Sequence, residues 1–439
     1  MLLTALLAGR PKTAAGFHVA DRNMGTTQSA LSIAATWIWA PALFVSAERA
    51  YLQGISGLFW FLAPNVLCLL LFIPFAQKIH KLMPHGITLS GFMGERYGSA
   101  AKRVYLFQLS ALSVLSTGVN LLAGAAVLET ITGLSFPLLT VMLAAIACSY
   151  SQFSGIKASV ITDAVQMVLI LAACFLFVPW AIQRNGFASL ISGLNGPGGE
   201  YGNIFSRKGL DVFRSFGLPT AIGLIAGPFG DQNFWQRAFA IKQEKIGKAF
   251  FLGAAAFAVV PLAMGLLGYI SRGSGFIPHN PGIVNLEIMT SLFPAWTVLP
   301  FVFMLVSGLL STVDSNLCAM ASLTTDITKS ENMAIPRGAM LLNLALGVLI
   351  ANIPGMTITN LFLFYGTLRA STFAPTVMAL QGKRIRWVAP GVLASLTVGL
   401  PLFAWGTFAN LPVIKVIGSL LTLGMSGAVA LIGGRREKD

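Results

Sequence analysis

The sequence predicts an all-α membrane protein of about twelve transmembrane helices, arranged as a 5+5 inverted-repeat core with helices 1 and 6 broken. Three observations carry that prediction. Of 439 residues, 55% are hydrophobic and only 10% charged. With a mean hydropathy of +0.76, this is more apolar surface than a soluble chain of that length can hide. Apolar stretches of spanning length recur along the whole chain, separated by turn and charge signals. Two of these stretches carry helix-breaking clusters in corresponding positions, at the first helix of each five-helix half.

The opening MLLTALLAGR has too few apolar residues for a cleavable signal or a span, and reads as the stub of a shortened helix. The first spanning segment, 27–53, contains SIAATWIWAPALF, with Pro41 just past two tryptophans. Segments 55–79, 103–131, 136–153 and 157–183 follow. The long loop 184–211 holds GLNGPGGEYG, a turn-rich stretch suited to an external lid or surface loop. The sixth segment, 212–231, leads into AIGLIAGPFGDQNFWQR, where Gly227, Pro228 and Gly230 cluster. Segments 246–271, 295–325, 337–354 and 357–380 complete a core of about 22–380, and two extra helices, 386–407 and 411–433, close the chain. The whole of 1–439 is one transmembrane transporter domain, with no segment long enough to form a separate soluble unit.

The net charge of +14 invites a nucleic-acid reading, but the basic residues lie in short loops between apolar runs. Their use is to orient the chain, and no nucleic-acid partner is expected. With alternating loops, one side receives 21 of the 29 Lys and Arg, in QKIHKLMPHG, ERYGSAAKR, IKQEKIGK, QGKRIR and GGRREKD. Seven fall on the other side and Arg369 stays inside a helix. That bias makes both termini cytoplasmic, in a multi-pass protein of the cell (inner) membrane. Cys68, Cys148, Cys174 and Cys318 fall in apolar segments without metal-type spacing. His18, His80, His85 and His279 fall in loops, far apart in sequence, and give a His-based metal site little support.

Unwound backbone at membrane depth must line a cavity or be buried in protein, because lipid cannot satisfy its polar groups. A matched pair of breaks therefore points to a transporter site, where a single break would be a simple proline kink. Ser307, Ser311, Asp314, Cys318, Ser322 and Thr325 share one face of the eighth helix. Close helix packing explains the serines. It does not explain Asp314, whose charge costs about 2.5–3.5 kcal/mol at a helix centre. Asp314 needs a cation, a proton or a basic partner, and Arg369 is the basic candidate within a helix. On the fifth helix Ser159, Thr162, Asp163 and Gln166 share a face. Asp163 alone reads as a solvated cap or a partner of Lys157; with Asp314 it suggests an ion path. Hard cations take oxygen ligands, and the break at Ala35–Ile38 and the pair Ser311-Thr312 supply such oxygens.

Four motifs occur in order. RNMGTTQSALSIAAT, from Arg22, resembles the first core helix of the sodium:solute symporter family. YSQFSGIKASVITDAVQ resembles its signature Y-T-x-x-G-G-x-x-A-x-x-x-T-D-x-x-Q without a gap, STVDSNL its S-T-x-D-S-x-L, and MPHGITLSGFMGERYG its loop before the third core helix. The similarity covers about residues 10–380. It implies the leucine-transporter-like fold and solute uptake coupled to Na⁺. It places sodium ligands at the carbonyls of Ala35, Ile38 and Gly308 and the hydroxyls of Ser311 and Thr312. It implies a second cation or proton site at Asp163, Asp314 and Ser315. The match departs in its nearly absent first helix and in a chain one residue short before Asp326-Ile327. TWIWAPALF and GISGLFW are similar to the urea and polyamine branch.

The expectation is a sodium-coupled symporter that imports a small polar solute by alternating access. Trp37, Trp39, Phe229 and Asp231, beside the two breaks, are the candidate solute residues. Proton symport with Asp314 titrating is the alternative mechanism. A facilitative channel or a substrate sensor on the same fold is the alternative class. The sequence shows no nucleophile–base pair or phosphate loop, so an enzyme is not expected, and no obligate protein partner is evident.

Overall fold

The computed structural model describes residues 14–329 and 332–435. The N-terminal stub expected at MLLTALLAGR lies outside the described residues. Helices follow one another throughout: α1 Thr26–Trp37, α2 Ala40–Leu82, α3 Leu89–Thr132, α4 Phe136–Asn185, α5 Leu218–Ile225, α6 Gln232–Ala240, α7 Ile246–Gly273, α8 Ala295–Thr328, α9 Ala334–Ala351, α10 Ile358–Leu380, α11 Val388–Phe408 and α12 Pro412–Arg435. Among the described residues β-structure is limited to one isolated bridge, Met24 to Ile241. Eight helices among them are long and apolar enough to cross a membrane, which makes this a multi-pass membrane protein.

The helices obey the breaks in the sequence, with local differences. α2 continues through the expected boundary near residue 54 but bends there, where Gly54 takes φ +52°. The carbonyl of Leu194 lies where a Cβ on Gly54 would sit, so only glycine admits the contact. The segment MPHGITLSGFMGERYG, expected as a loop, is helical from Leu89 and joins α3 across a kink at Gly98. Thr88 starts that helix by accepting a hydrogen bond from the Gly91 amide. The loop 184–211 likewise contains two short helices, Phe187–Leu194 and Arg207–Val212. Its first helix docks by Gly193 against the Tyr269 carbonyl, and Ser206 caps the second through the Gly209 amide.

α4 is assigned as one helix of 50 residues over what the sequence reads as two spans. A straight helix would set Leu143 and Phe177 about 50 Å apart. Yet Leu143 and Leu309 both pack on Gly124, and Phe177 meets Phe301 with ring centroids 5.6 Å apart. Leu309 and Phe301 are only about 12 Å apart along α8, so α4 is not straight over its length. α8 lies between α3 and α4 and is buried without interruption from Ser307 to Leu323. A helix enclosed on all faces is the central element of the molecule.

Two of the four histidines expected in loops are helical: buried His18 in the short helix Ala14–Val19, and His80 in the last turn of α2. Burial pushes the His18 imidazole down to about 4, so it is neutral at physiological pH. At the end of α8 Asp326 accepts Lys102 (2.7 Å), Thr88 (3.0 Å) and Ser90 (2.9 Å). Thr88, Lys102 and Asp326 border a cavity of about 490 Å³.

Candidate functional site

The first break falls at Ile38 and Trp39, at the end of the Ala35–Ile38 stretch where the sequence placed it and three residues after its start. α1 stays helical through Trp37, Ile38 turns away with φ −86° and ψ 81°, and Trp39 is extended. The Ile38 amide still reaches the carbonyls of Ala34 (2.9 Å) and Ala35 (3.1 Å), closing the end of α1. On the far side Pro41 sits in the first turn of α2, where its missing N–H costs nothing. The Ala40 amide is capped from another helix by Asn120 Oδ1 at 3.0 Å.

The second break runs from Ala226 to Asp231, between α5 and α6. The sequence ended its sixth span at 231, and the nine-residue α6 beyond it was missed because QNFWQRAFA interrupts its apolar residues with Gln232, Asn233, Gln236 and Arg237. Every residue of α6 is buried, so its polar groups face protein. Asp231 caps it through the Asn233 amide at 3.0 Å. Backbone approach is tightest at the glycines. A Cβ on Gly227 would meet the Trp37 ring at 2.5 Å, and one on Gly230 would meet Arg369 Cα at 3.0 Å.

These contacts bring both breaks against α10. Arg369 pairs with Asp231 (Nη2 to Oδ2, 2.7 Å), and the Tyr365 hydroxyl donates to the same oxygen at 2.7 Å. The guanidinium lies 3.9 Å from the Tyr365 ring centroid, 4.9 Å from Trp37 and 5.4 Å from Trp39. Trp39 and Tyr365 are themselves 4.8 Å apart. Among the described residues, Arg369 Nε and Nη1 are buried without a hydrogen-bond partner. The salt bridge between Arg369 and Asp314 that the sequence left open is therefore not formed: α10 presents Arg369 to the break instead. Of the four candidate solute residues, Trp37, Trp39 and Asp231 meet in this box. The Phe229 ring packs on Phe72, Phe75 and Phe373.

Next to the box, Thr312 Oγ1 lies 3.3 Å from the Ile38 carbonyl and 3.4 Å from that of Gly308. Three oxygens of the five-member sodium set thus converge between α1 and α8. The Ala35 carbonyl stands at the same helix end, where the partial negative charge of the helix dipole adds to them. Ser311, the fifth member, donates its proton to Asp163, which leaves its oxygen lone pairs free.

Asp163 is fully buried and is neither a solvated cap nor a partner of Lys157. Its Oδ2 accepts Ser32 at 2.7 Å and Arg237 at 2.9 Å. Arg237 was read as a loop residue; α6 carries it inward to 3% exposure, so Arg369 is not the lone basic side chain within the helices. Its Nη2 also donates to Ser315 at 2.8 Å, Nε to Ser32 at 3.0 Å and Nη1 to the Asn233 carbonyl at 3.2 Å. Asp314 lies close by, 2% exposed, with Oδ1 unpartnered among the described residues.

Sequence reasoning missed Ser32, Arg237, Tyr365 and, as a partner of Asp231, Arg369. One signal was available. Tyr365 and Arg369 stand four apart, on one face of a helix that holds no other charged residue.

Residues 17–334 match the model of the sodium:solute symporter family. Among curated relatives, the chain is similar to Probable urea active transporter 1 of Schizosaccharomyces pombe. That match is 26% identical over 318 residues, covering 68% of this chain and 46% of the relative. It is also similar to Urea-proton symporter DUR3 of Oryza sativa subsp. japonica, 24% identical over 486 residues, covering 96% and 66%. The chain thus spans about half to two thirds of the length of these relatives. A solved structure of a Na⁺-coupled sialic acid symporter, in a substrate-bound outward-open state, superposes with a TM-score of 0.77 over 98% of this chain and 95% of that one. At 14% identity this likeness speaks for the fold alone.

Proposed function

This chain belongs to the sodium:solute symporter family, and from that premise we propose that it imports a small, uncharged polar solute by cation-coupled symport. Urea, or an amide of similar size, is the substrate the site favours. The observation that carries the reading is the meeting of the two helix breaks in one buried place. The first break supplies the Ile38 carbonyl to Thr312 and the Trp37 and Trp39 rings to Arg369. The second supplies Asp231 to Arg369.

The box has donors, acceptors and flat walls, but no net charge. Arg369 and Asp231 cancel, so a charged solute would enter a low-dielectric site without a counter-charge. A neutral amide needs none. Its carbonyl accepts from the unpartnered Nε and Nη1 of Arg369, its N–H groups donate toward Asp231, and its planar face stacks on Trp39 or Tyr365. The names of the relatives, which refer to urea, agree with this chemistry.

The coupling ion is Na⁺ in this reading, held by the carbonyls of Ala35, Ile38 and Gly308 and the hydroxyls of Ser311 and Thr312. The residues fit such an ion: all are oxygen donors, and three of them already converge. Bound there, Na⁺ ties α1 to α8 and so favours one arrangement of the broken helix over another. Proton coupling is the second reading, favoured by the buried, half-unpartnered carboxylate of Asp314 and by the relative named for proton symport. Uptake of labelled urea into proteoliposomes, with Na⁺ and pH gradients imposed separately, tests the proposal. Sodium-driven uptake is expected. Uptake indifferent to sodium and abolished by an uncoupler assigns the proton instead. Equilibration without accumulation makes the protein a channel. A thermal-shift panel of urea, amino acids, polyamines, sugars and carboxylates tests the solute class; only the neutral amides should stabilise.

A further inference from the structure

Arg237 has no part in the scheme above, yet the chain buries it where four helices meet: α1 through Ser32, α4 through Asp163, α6 through Arg237 itself, and α8 through Ser311 and Ser315. The motif resemblance puts a second cation at Asp163, Asp314 and Ser315. As arranged, those residues do not fit a free metal ion. Both oxygens of Asp163 are engaged, Oδ2 by Ser32 and Arg237 and Oδ1 by Ser311. The hydroxyl oxygen of Ser315 accepts from Arg237 Nη2 at 2.8 Å. An ion arriving there would meet a guanidinium, like charge against like in a medium that screens poorly.

We propose that the guanidinium of Arg237 replaces a second coupling cation, leaving the Ile38–Gly308–Thr312 cradle to hold the exchangeable ion. The guanidinium contacts the oxygen donors a metal ion would require. Nη2 reaches the Asp163 carboxylate and the Ser315 hydroxyl, Nε reaches the Ser32 hydroxyl, and Nη1 the Asn233 carbonyl. Arginine suits the task because its charge is permanent and its fork is rigid. It is also covalently part of α6, so it supplies the positive charge without exchanging with either bath. The inference rests on the reading of this chain as a cation-coupled symporter, and it deepens that reading by giving the number of ions.

The test is equilibrium binding of ²²Na⁺ to the purified full-length protein, which does not depend on transport. Wild type is expected to bind at most one Na⁺ per chain. Arg237→Ser, which vacates the place and leaves a hydroxyl, is expected to bind one more. In sodium-driven uptake its Hill coefficient should rise from about 1 towards 2. Arg237→Lys keeps a tethered charge and should bind no additional ion. Arg237→Ser combined with Asp163→Asn removes the acceptor and should return to the wild-type count. Two Na⁺ per chain in wild type would overturn the proposal, as would folded Arg237→Ser with an unchanged count. If Arg237→Ser does not fold, the wild-type count decides. A wild type that moves no solute with Na⁺ or H⁺, while Arg237→Ser still gains an ion, refutes the transport reading and leaves the replacement of the ion standing.

Discussion

At the scale of single residues, Thr312 separates the proposed sodium site from its surroundings better than Ser311 does. Ser311 also donates to Asp163, so Ser311→Ala disturbs the Arg237 cluster as well as the cradle. Among the described residues, the Thr312 hydroxyl hydrogen-bonds to the Ile38 and Gly308 carbonyls and not to the Arg237 cluster. Thr312→Ala is expected to raise the sodium concentration for half-maximal uptake about tenfold, equivalent to about 1.4 kcal/mol, with a near-normal thermal midpoint. An unchanged sodium response would remove this residue from the ion's ligands. Asp231 permits a similar separation, because asparagine also caps helices well. Asp231→Asn keeps the bond to the Asn233 amide and removes the charge opposite Arg369, whose uncompensated burial costs about 3–5 kcal/mol. Asp231→Ala loses the cap too, at roughly a further 1 kcal/mol. Both variants should lose uptake, and the thermal midpoint should fall in the order wild type, Asn, Ala. A normal midpoint for Asp231→Asn would show that the pair is not charged as drawn.

At the scale of elements, the breaks are held open by neighbours. Ala40 begins α2 with its amide on Asn120 of α3, and Gly227 leaves room for the Trp37 ring. Asn120→Ala leaves a buried amide unpaired and should cost about 1–3 kcal/mol in thermal stability. Gly227→Ala forces a methyl into the indole, an overpacking of about 1–3 kcal/mol, and moves a wall of the solute box. It should raise the substrate concentration for half-maximal uptake more than the sodium requirement. Equal effects on both would mean that the break transmits the strain to the cradle. The breaks themselves were legible, because Pro41, Gly227, Pro228 and Gly230 are local signals. What lay beyond the second break was not. α6 mixes apolar residues with Gln232, Asn233, Gln236 and Arg237 and is buried because α1, α2, α3 and α8 pack around it, which no window of hydropathy can register. The two short helices of the 184–211 loop escaped for a related reason: their caps and docking contacts are long-range or confined to a few residues.

At the scale of the whole molecule, composition and apolar period determined the class. Ordered motifs pointed to the family, and residues 17–334 match its model. Pairing between elements was out of reach. The sequence offered Arg369 to Asp314; the fold gives Arg369 to Asp231 and brings Arg237, misread as a loop residue, to Asp163. Asp163 lies on α4, Asp314 on α8 and Arg369 on α10, while Asp231 caps the α6 that carries Arg237, so only the packing of these helices decides which sign meets which. The result is two neutral pairs close to the helix breaks, with Asp314 as a further carboxylate. That distribution favours a neutral solute in the box and a single positive charge near α8.

The central claim is that a cation gradient drives a neutral amide inward, and it is tested by accumulation rather than flux. Proteoliposomes holding the full chain, with Na⁺ high outside, low inside and pH equal, should concentrate labelled urea above the external level. That excess should collapse on adding a sodium ionophore. Urea that only equilibrates, or an excess that survives the ionophore, would contradict the account.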